Sequence, residues 1–201
     1  PNANIVVDKF HIVQLLTREL NKLRIDEMKK LNTRSREYKI LKRYWKIPLT
    51  KNWELNRIYF YKNIHFKNMT SSIDILNYML KEFPNLKEAY DFYQNFLLSI
   101  SKNDVDMLED ILNTRIDKMP MCFRKSIKTL KKLRKYVVNS LKYDYTNAMV
   151  EGKNNKIKVI KRVSYGYRSF RNFKARIMLM ERYKIQKGNI HSYKFAMDAA
   201  A

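Results

Sequence analysis

Apolar positions recur at helical spacing along most of this chain. Between Lys9 and about Asn32, Val13, Leu16, Leu20 and Leu23 form one stripe and Arg18, Lys22 and Lys29 lie off it, which predicts an amphipathic helix. Ser35 to Trp45 reads as a second helix, ending before Pro48. Ser71, Ser72 and Asp74 offer hydroxyl caps and an early acid for a helix to Phe83, and Pro84-Asn85 opens another with Leu86, Ala89, Tyr90, Tyr93 and Leu97 on its apolar face. Asp104 to Asp117 repeats the pattern with Val105, Leu108, Ile111 and Leu112, and a strongly basic helix is predicted from Met121 to about Tyr143. Thr146 or Asn147 can cap a further helix to about Val163, and after a break at Gly166 the stripe Phe170, Phe173 and Ile177 predicts a last one. Only Ile5-Val6-Val7 reads as a strand, which places Asp8 at a strand-to-helix junction. The aromatic stretch through Trp53, Tyr59, Phe60 and Tyr61 has no clear period.

Composition agrees with a helical reading. Three Gly and four Pro are too few turn formers for a many-stranded sandwich or barrel, and 45% hydrophobic with 13% aromatic residues can bury a core, which excludes an unstructured basic tail. The internal prolines at 48, 84 and 120 are evenly spaced, but the residues around them do not align, so they read as helix boundaries rather than as a repeat. A lone cysteine, Cys122, excludes an internal disulfide framework, fits a reducing compartment and reads as a small core residue. His11, His65 and His191 do not combine with it at zinc-ligand spacing. No run is long and apolar enough to span a membrane and no signal-peptide core is present, so a cytoplasmic protein is expected.

Charge sharpens the picture. The formal net charge is +23, and residues 121–201 hold 21 basic against 4 acidic residues, whereas residues 1–120 hold 21 against 15. A block of one sign points to a polyanion, of which nucleic acid is the foremost candidate. Within that block, Glu151, Asn155, Lys158 and Arg162 share a helix face within about 60° of arc, while Met149, Ile157 and Ile160 fall on the other side. A carboxylate two turns from a lysine is an arrangement that can hold a divalent metal at the acid and a phosphate at the amine. A solvated helix with incidental charges has the same pattern.

Two separated segments, VVDKFHIVQL at Val6 to Leu15 and YTNAMVEGKNNKIKVIKRVSYGYRSFRNFKARI at Tyr145 to Ile177, resemble paired blocks of bacterial insertion-sequence DDE transposases of the ISL-three branch, in the family's order. YKILKRYWKIPL and NLKEAYDFYQNFL between them are similar to the same branch, so the resemblance covers nearly the whole chain. It implies a mainly α protein with a partial RNase H-like α/β core, one strand at its N-terminus, interrupted by an all-helical insertion. The corresponding domains are 1–33 (partial core), 34–143 (insertion) and 144–201 (C-terminal core helices). By this resemblance Asp8 matches the second catalytic, metal-binding carboxylate and Glu151 the third. The first aspartate is expected on an upstream strand, and no residue here takes its place.

The resemblance also implies a reaction. Two Mg²⁺ (or Mn²⁺) ions about 3.5–4 Å apart, expected only in the complete protein, would activate a water or 3′-hydroxyl for in-line attack on a DNA phosphodiester. The implied function is metal-dependent DNA cleavage and strand transfer, acting on duplex DNA as a homo-oligomer, without a membrane; this chain by itself is expected to be inactive. His11 and Asn154 are candidates for site support. Asn155, Lys158, Lys161, Arg162, Arg168 and Arg171 are candidates for DNA contacts, since cations neutralising phosphates supply most sequence-independent affinity. The plain alternatives are packing near the helix start for His11 and solvated polar faces for the others. The alternative for the chain as a whole is a non-catalytic basic helical DNA-binding module or a decayed transposase remnant.

Overall fold

The computed structural model describes residues 4–182 apart from 118, 144 and 146, and contains nine α-helices among them. They fall into two compact units, Pro1–Thr146 and Asn147–Ala201.

In the first unit the helices begin where short polar side chains can serve orphan N–H groups. Asp8 caps α1 (Lys9–Lys29) by accepting from the Phe10 N–H at 2.7 Å, and Ser35 caps α2 (Arg36–Arg43) by accepting from Tyr38. Ser71 and Asp74 form a reciprocal capping box on α3 (Ser72–Glu82), and those hydrogen bonds hold the Asp74 carboxyl below its ordinary pKa. Pro84 occupies the first turn of α4 (Pro84–Lys102), which closes at Asn103 in the left-handed region with φ 52°. Asp104 caps α5 (Val105–Asn113). The prolines mark boundaries as expected: Pro48 lies in a short 3-10 turn, Ile47–Leu49, and Pro120 directly precedes α6 (Met121–Lys132).

α1 is the centre of this unit. Its stripe Ile12, Leu16, Leu20 and Leu23 is buried, and α2, α4, α6 and α7 (Arg134–Lys142) pack around it. α4 contributes Leu86, Phe92, Phe96 and Leu97 to the same core, where Phe92 meets Phe123 of α6 edge to face at 5.9 Å between centroids. Arg24 is buried as well. Its guanidinium donates to the Leu41 carbonyl at 2.7 Å and to Asn21 Oδ1 at 3.0 Å, serving one of the carbonyls left unpaired at the end of α2.

Two expectations change. Ile5-Val6-Val7 is not a strand, because no partner strand is present among the described residues. Instead the segment lies along α7, with the Val7 N–H reaching the Tyr136 carbonyl and Asn139 donating to the Ile5 carbonyl. The described residues contain no strand at all, and the isolated antiparallel bridge Tyr61–Thr70 is their β pairing. The single basic helix expected over 121–143 is two, divided at Leu133, which lets α6 stay on α1 while α7 turns onto α5 as well.

The second unit is an antiparallel helical hairpin. α8 (Ala148–Val163) and α9 (Phe170–Arg182) are joined by a reversal in which Tyr165 and Gly166 take φ of 53° and 98°. Lys156 Nζ donates to the Met180 carbonyl, Ser164 and Tyr167 share a hydroxyl hydrogen bond, and Tyr167 packs on Phe173. Ile160 is buried, whereas Met149 and Phe170, both expected in apolar stripes, are exposed; two helices cannot enclose every apolar side chain they carry. Asn147 stands at the N-cap of α8 without a side-chain cap bond, and the alternative cap, Thr146, lies outside the described residues.

The core predicts its own sensitivities. Phe96→Ala in a fully buried site should cost about 3–5 kcal/mol, read from the midpoint of urea unfolding. The Tyr90 hydroxyl is buried with no hydrogen-bond partner, so Tyr90→Phe should leave stability unchanged or raise it by up to about 1 kcal/mol; a larger loss contradicts this packing. Burial, with Asp91 nearby, pushes the Tyr90 pKa from 10.0 up to about 12. The folded state therefore keeps a proton that the unfolded state releases. Its stability should fall as pH rises from 10 toward 12, and less steeply in the Y90F variant.

Candidate functional site

Asp8 sits where backbone geometry dictates its environment. It is half-buried at the N-cap of α1, with Oδ1 bound to the Phe10 N–H. That bond alone accounts for a short acid at this position, because a side-chain oxygen here satisfies a donor that the helix cannot. His11 is exposed one turn on, its ring edge-to-face with Phe10 at 5.6 Å. The helix therefore brings Asp8 and His11 to the same end of α1.

Glu151 belongs to the second unit, in the first turn of α8, where a negative side chain complements the helix dipole. Asn155, Lys158 and Arg162 follow it at intervals of four, three and four residues, so one exposed face carries all four, as the spacing predicted. Asn154 and Lys161, seven residues apart, form a neighbouring exposed row. Arg168 lies in the connection to α9 and Arg171 in its first turn, both exposed.

The electrostatics of the hairpin are one-sided. Between Glu151 and Glu181 the sequence has no acid and nine cations, Lys153, Lys156, Lys158, Lys161, Arg162, Arg168, Arg171, Lys174 and Arg176. All nine are exposed. Such a density of like charge destabilises a small unit by self-repulsion and favours a polyanion that relieves it.

A second basic cluster is not apparent from the sequence pattern. Arg36, Lys39 and Arg43 on α2 approach His65, and the His65 pKa is held below its ordinary value by burial and then by the charges of Arg43, Lys39 and Arg36. Their spacing of three and four residues is the available signal, but it lies before an aromatic stretch with no readable period.

Carboxylates suit a hard cation such as Mg²⁺ in kind. Among the described residues, however, no three His, Cys, Asp or Glu side chains converge as a metal site. A groove of about 300 Å³ between α4 and α5 is lined by Glu88, Asp91, Ile111 and Met119 among others, and burial raises the Asp91 pKa. It contains none of the candidate residues. No described helix is long and apolar enough to cross a membrane.

Comparison with known proteins supplies the family. A protein from Lactococcus lactis subsp. lactis described as an ATP-dependent protease is 39% identical over 121 residues, 60% of this chain. The chain spans 38% of that relative's length. No solved structure matches. A family model for DDE transposases of the ISL-three type, described as transposase, matches residues 1–177. The match covers most of the chain, the first unit and the second as far as residue 177, and the chain belongs to the ISL-three family of DDE transposases.

Proposed function

We propose that this chain is the part of a DDE transposase that holds duplex DNA on the basic hairpin α8–α9 and supplies Asp8 and Glu151 as two carboxylates for metal-dependent cleavage and strand transfer. The observation that carries the reading is the family match over residues 1–177, joined to an exposed face on which Glu151 is followed by Asn155, Lys158 and Arg162. In this reading 1–33 and 144–201 are parts of an RNase H-like core, 34–143 is the helical insertion, and the complete protein works as an oligomer on DNA ends. His11 and Asn154 support the acidic residues. Because no convergent set of three metal-binding side chains exists among the described residues, the assignment of Asp8 and Glu151 to Mg²⁺ or Mn²⁺ rests on the family match.

The role of the hairpin cations follows from polyelectrolyte physics. A lysine or arginine on a phosphate releases condensed counterions, so affinity falls with salt in proportion to the number of phosphates neutralised. Lys158, Lys161 and Arg162 lie close together on α8, and Arg168 and Arg171 extend the surface past the turn. The activity named for the lactococcal relative is not carried over, since the chain covers 38% of it and contains no glycine-rich phosphate loop.

One observation favours a second reading, a non-catalytic DNA-binding module: the N-cap bond to Phe10 is by itself a sufficient reason for an acid at position 8. Asp8→Asn separates the two. It keeps a capping oxygen and removes the charge, so a catalytic Asp8 predicts abolished cleavage with an unchanged melting temperature.

Two outcomes are expected. The 201-residue chain should bind duplex DNA with a steep salt dependence, and the triple change Lys158→Ala, Lys161→Ala, Arg162→Ala should reduce the slope of log affinity against log salt by about 0.9 for each phosphate that is no longer neutralised; an unchanged slope removes α8 from the interface. In the complete transposase, Asp8→Asn and Glu151→Gln should each abolish cleavage of element ends while sparing binding in gel-shift assays. Retained cleavage in either variant rejects that carboxylate assignment.

A further inference from the structure

Far along the chain from the basic hairpin, the first unit presents a second surface. Residues 56–70 leave the core as a loop whose backbone is held by its own side chains. Asn56 Oδ1 accepts from the N–H groups of Ile58 and Tyr59 at 3.1 and 2.9 Å, and its Nδ2 donates to the Tyr59 carbonyl at 2.7 Å. Tyr61 and Thr70 pair across the base of the loop. Asn63 accepts from the Tyr44 hydroxyl at 2.7 Å, and Arg36 donates to the His65 carbonyl at 2.6 Å while its guanidinium lies 5.0 Å from the centre of the Phe66 ring.

This well-tied loop points apolar groups outward. Ile58 is 78% exposed, Tyr59 77%, Phe60 53% and Ile64 79%. Exposed rings on a floppy segment are ordinary, but rings on a hydrogen-bonded frame lose little freedom on meeting a partner. From Leu55 to Ile73 there is no acid, whereas Arg57, Lys62 and Lys67 are exposed, and the cations of α2 approach the same loop at His65.

We infer that the loop 56–70, with the neighbouring face of α2, is a docking site for unpaired bases of DNA, stacking on Tyr59 and Phe60 while the cations hold the adjoining phosphates. The inference rests on the DNA-binding reading and names a further substrate feature for it. Rings select faces. In an intact duplex the faces of the bases are covered by their neighbours, so an aromatic platform gains only where bases are unstacked, as in single strands or opened ends. Arg57, Lys62 and Lys67, with no acid among them, make this loop complementary to a polyanion rather than to the basic surface of a second copy.

The test uses the full chain with fluorescein-labelled oligo(dT) and a duplex of equal length, by anisotropy at fixed salt. The double change Tyr59→Ala and Phe60→Ala should weaken oligo(dT) binding about ten-fold while duplex affinity changes by less than about two-fold. Tyr59→Trp should retain oligo(dT) binding, and since Tyr59 is exposed, circular dichroism of both variants should match the parent. If duplex DNA is bound but oligo(dT) affinity is untouched by the double change, this inference fails and the DNA-binding reading stands. If neither DNA is bound, both fail. Binding to anionic phosphatidylserine vesicles that depends on Tyr59 and Phe60, without an effect on oligo(dT), assigns the loop to a lipid surface and overturns the inference.

Discussion

Burial of one stripe on α1 is the constraint on which the rest of the first unit depends. Ile12, Leu16, Leu20 and Leu23 meet α2, α4, α6 and α7, so four helices share a single apolar axis. Each such side chain contributes about 1.5–3 kcal/mol on leaving water. Extending that stripe one residue puts Arg24 in the interior, where burial lowers its pKa and the guanidinium must be matched. The Leu41 carbonyl and Asn21 match it, and the end of α2 is fixed to α1 as a result. Asp8, as the cap of the same helix, has its place set by hydrophobic packing that begins one turn away, at Ile12.

The two units solve opposite problems. The first buries Phe96, Phe123, Leu16 and Leu20 completely and tolerates its positive charge on a stable frame. The hairpin has Ile160 buried, with Ile157, Phe173 and Ile177 only half-covered, under an exposed array of nine cations. Charges of one sign within a Debye length of about 8–10 Å repel one another, and a ligand that binds only the folded form stabilises it by mass action. DNA binding and the integrity of α8–α9 are thus thermodynamically linked in the proposed function.

Much of the helical pattern was legible from residue spacing. The starts at Asp8, Ser35, Ser71, Pro84 and Asp104 were readable because capping is chemistry between neighbours in sequence. The strand expected at Ile5-Val6-Val7 does not form, since a β-branched run becomes a strand only with a pairing edge, and here α7 takes that place. The break at Leu133 was equally hidden: the apolar period runs through it, and the demand that α7 reach α5 comes from three dimensions. Of the candidate site residues, the shared face of Glu151, Asn155, Lys158 and Arg162 was readable because a regular helix has one period.

The amino-acid sequence by itself determined that the chain is helical, where most helices begin, which of its segments is one-signed in charge, and which family's blocks it resembles, all properties of residues near one another along the chain. Tertiary structure decided that Arg24 is buried, that Met149 and Phe170 are exposed, that Tyr59 and Phe60 stand outward on a tied loop, and that the cations of α2 reach that loop at His65. Burial depends on what other elements cover, and the field at His65 sums charges from a different element; neither quantity is a function of local spacing.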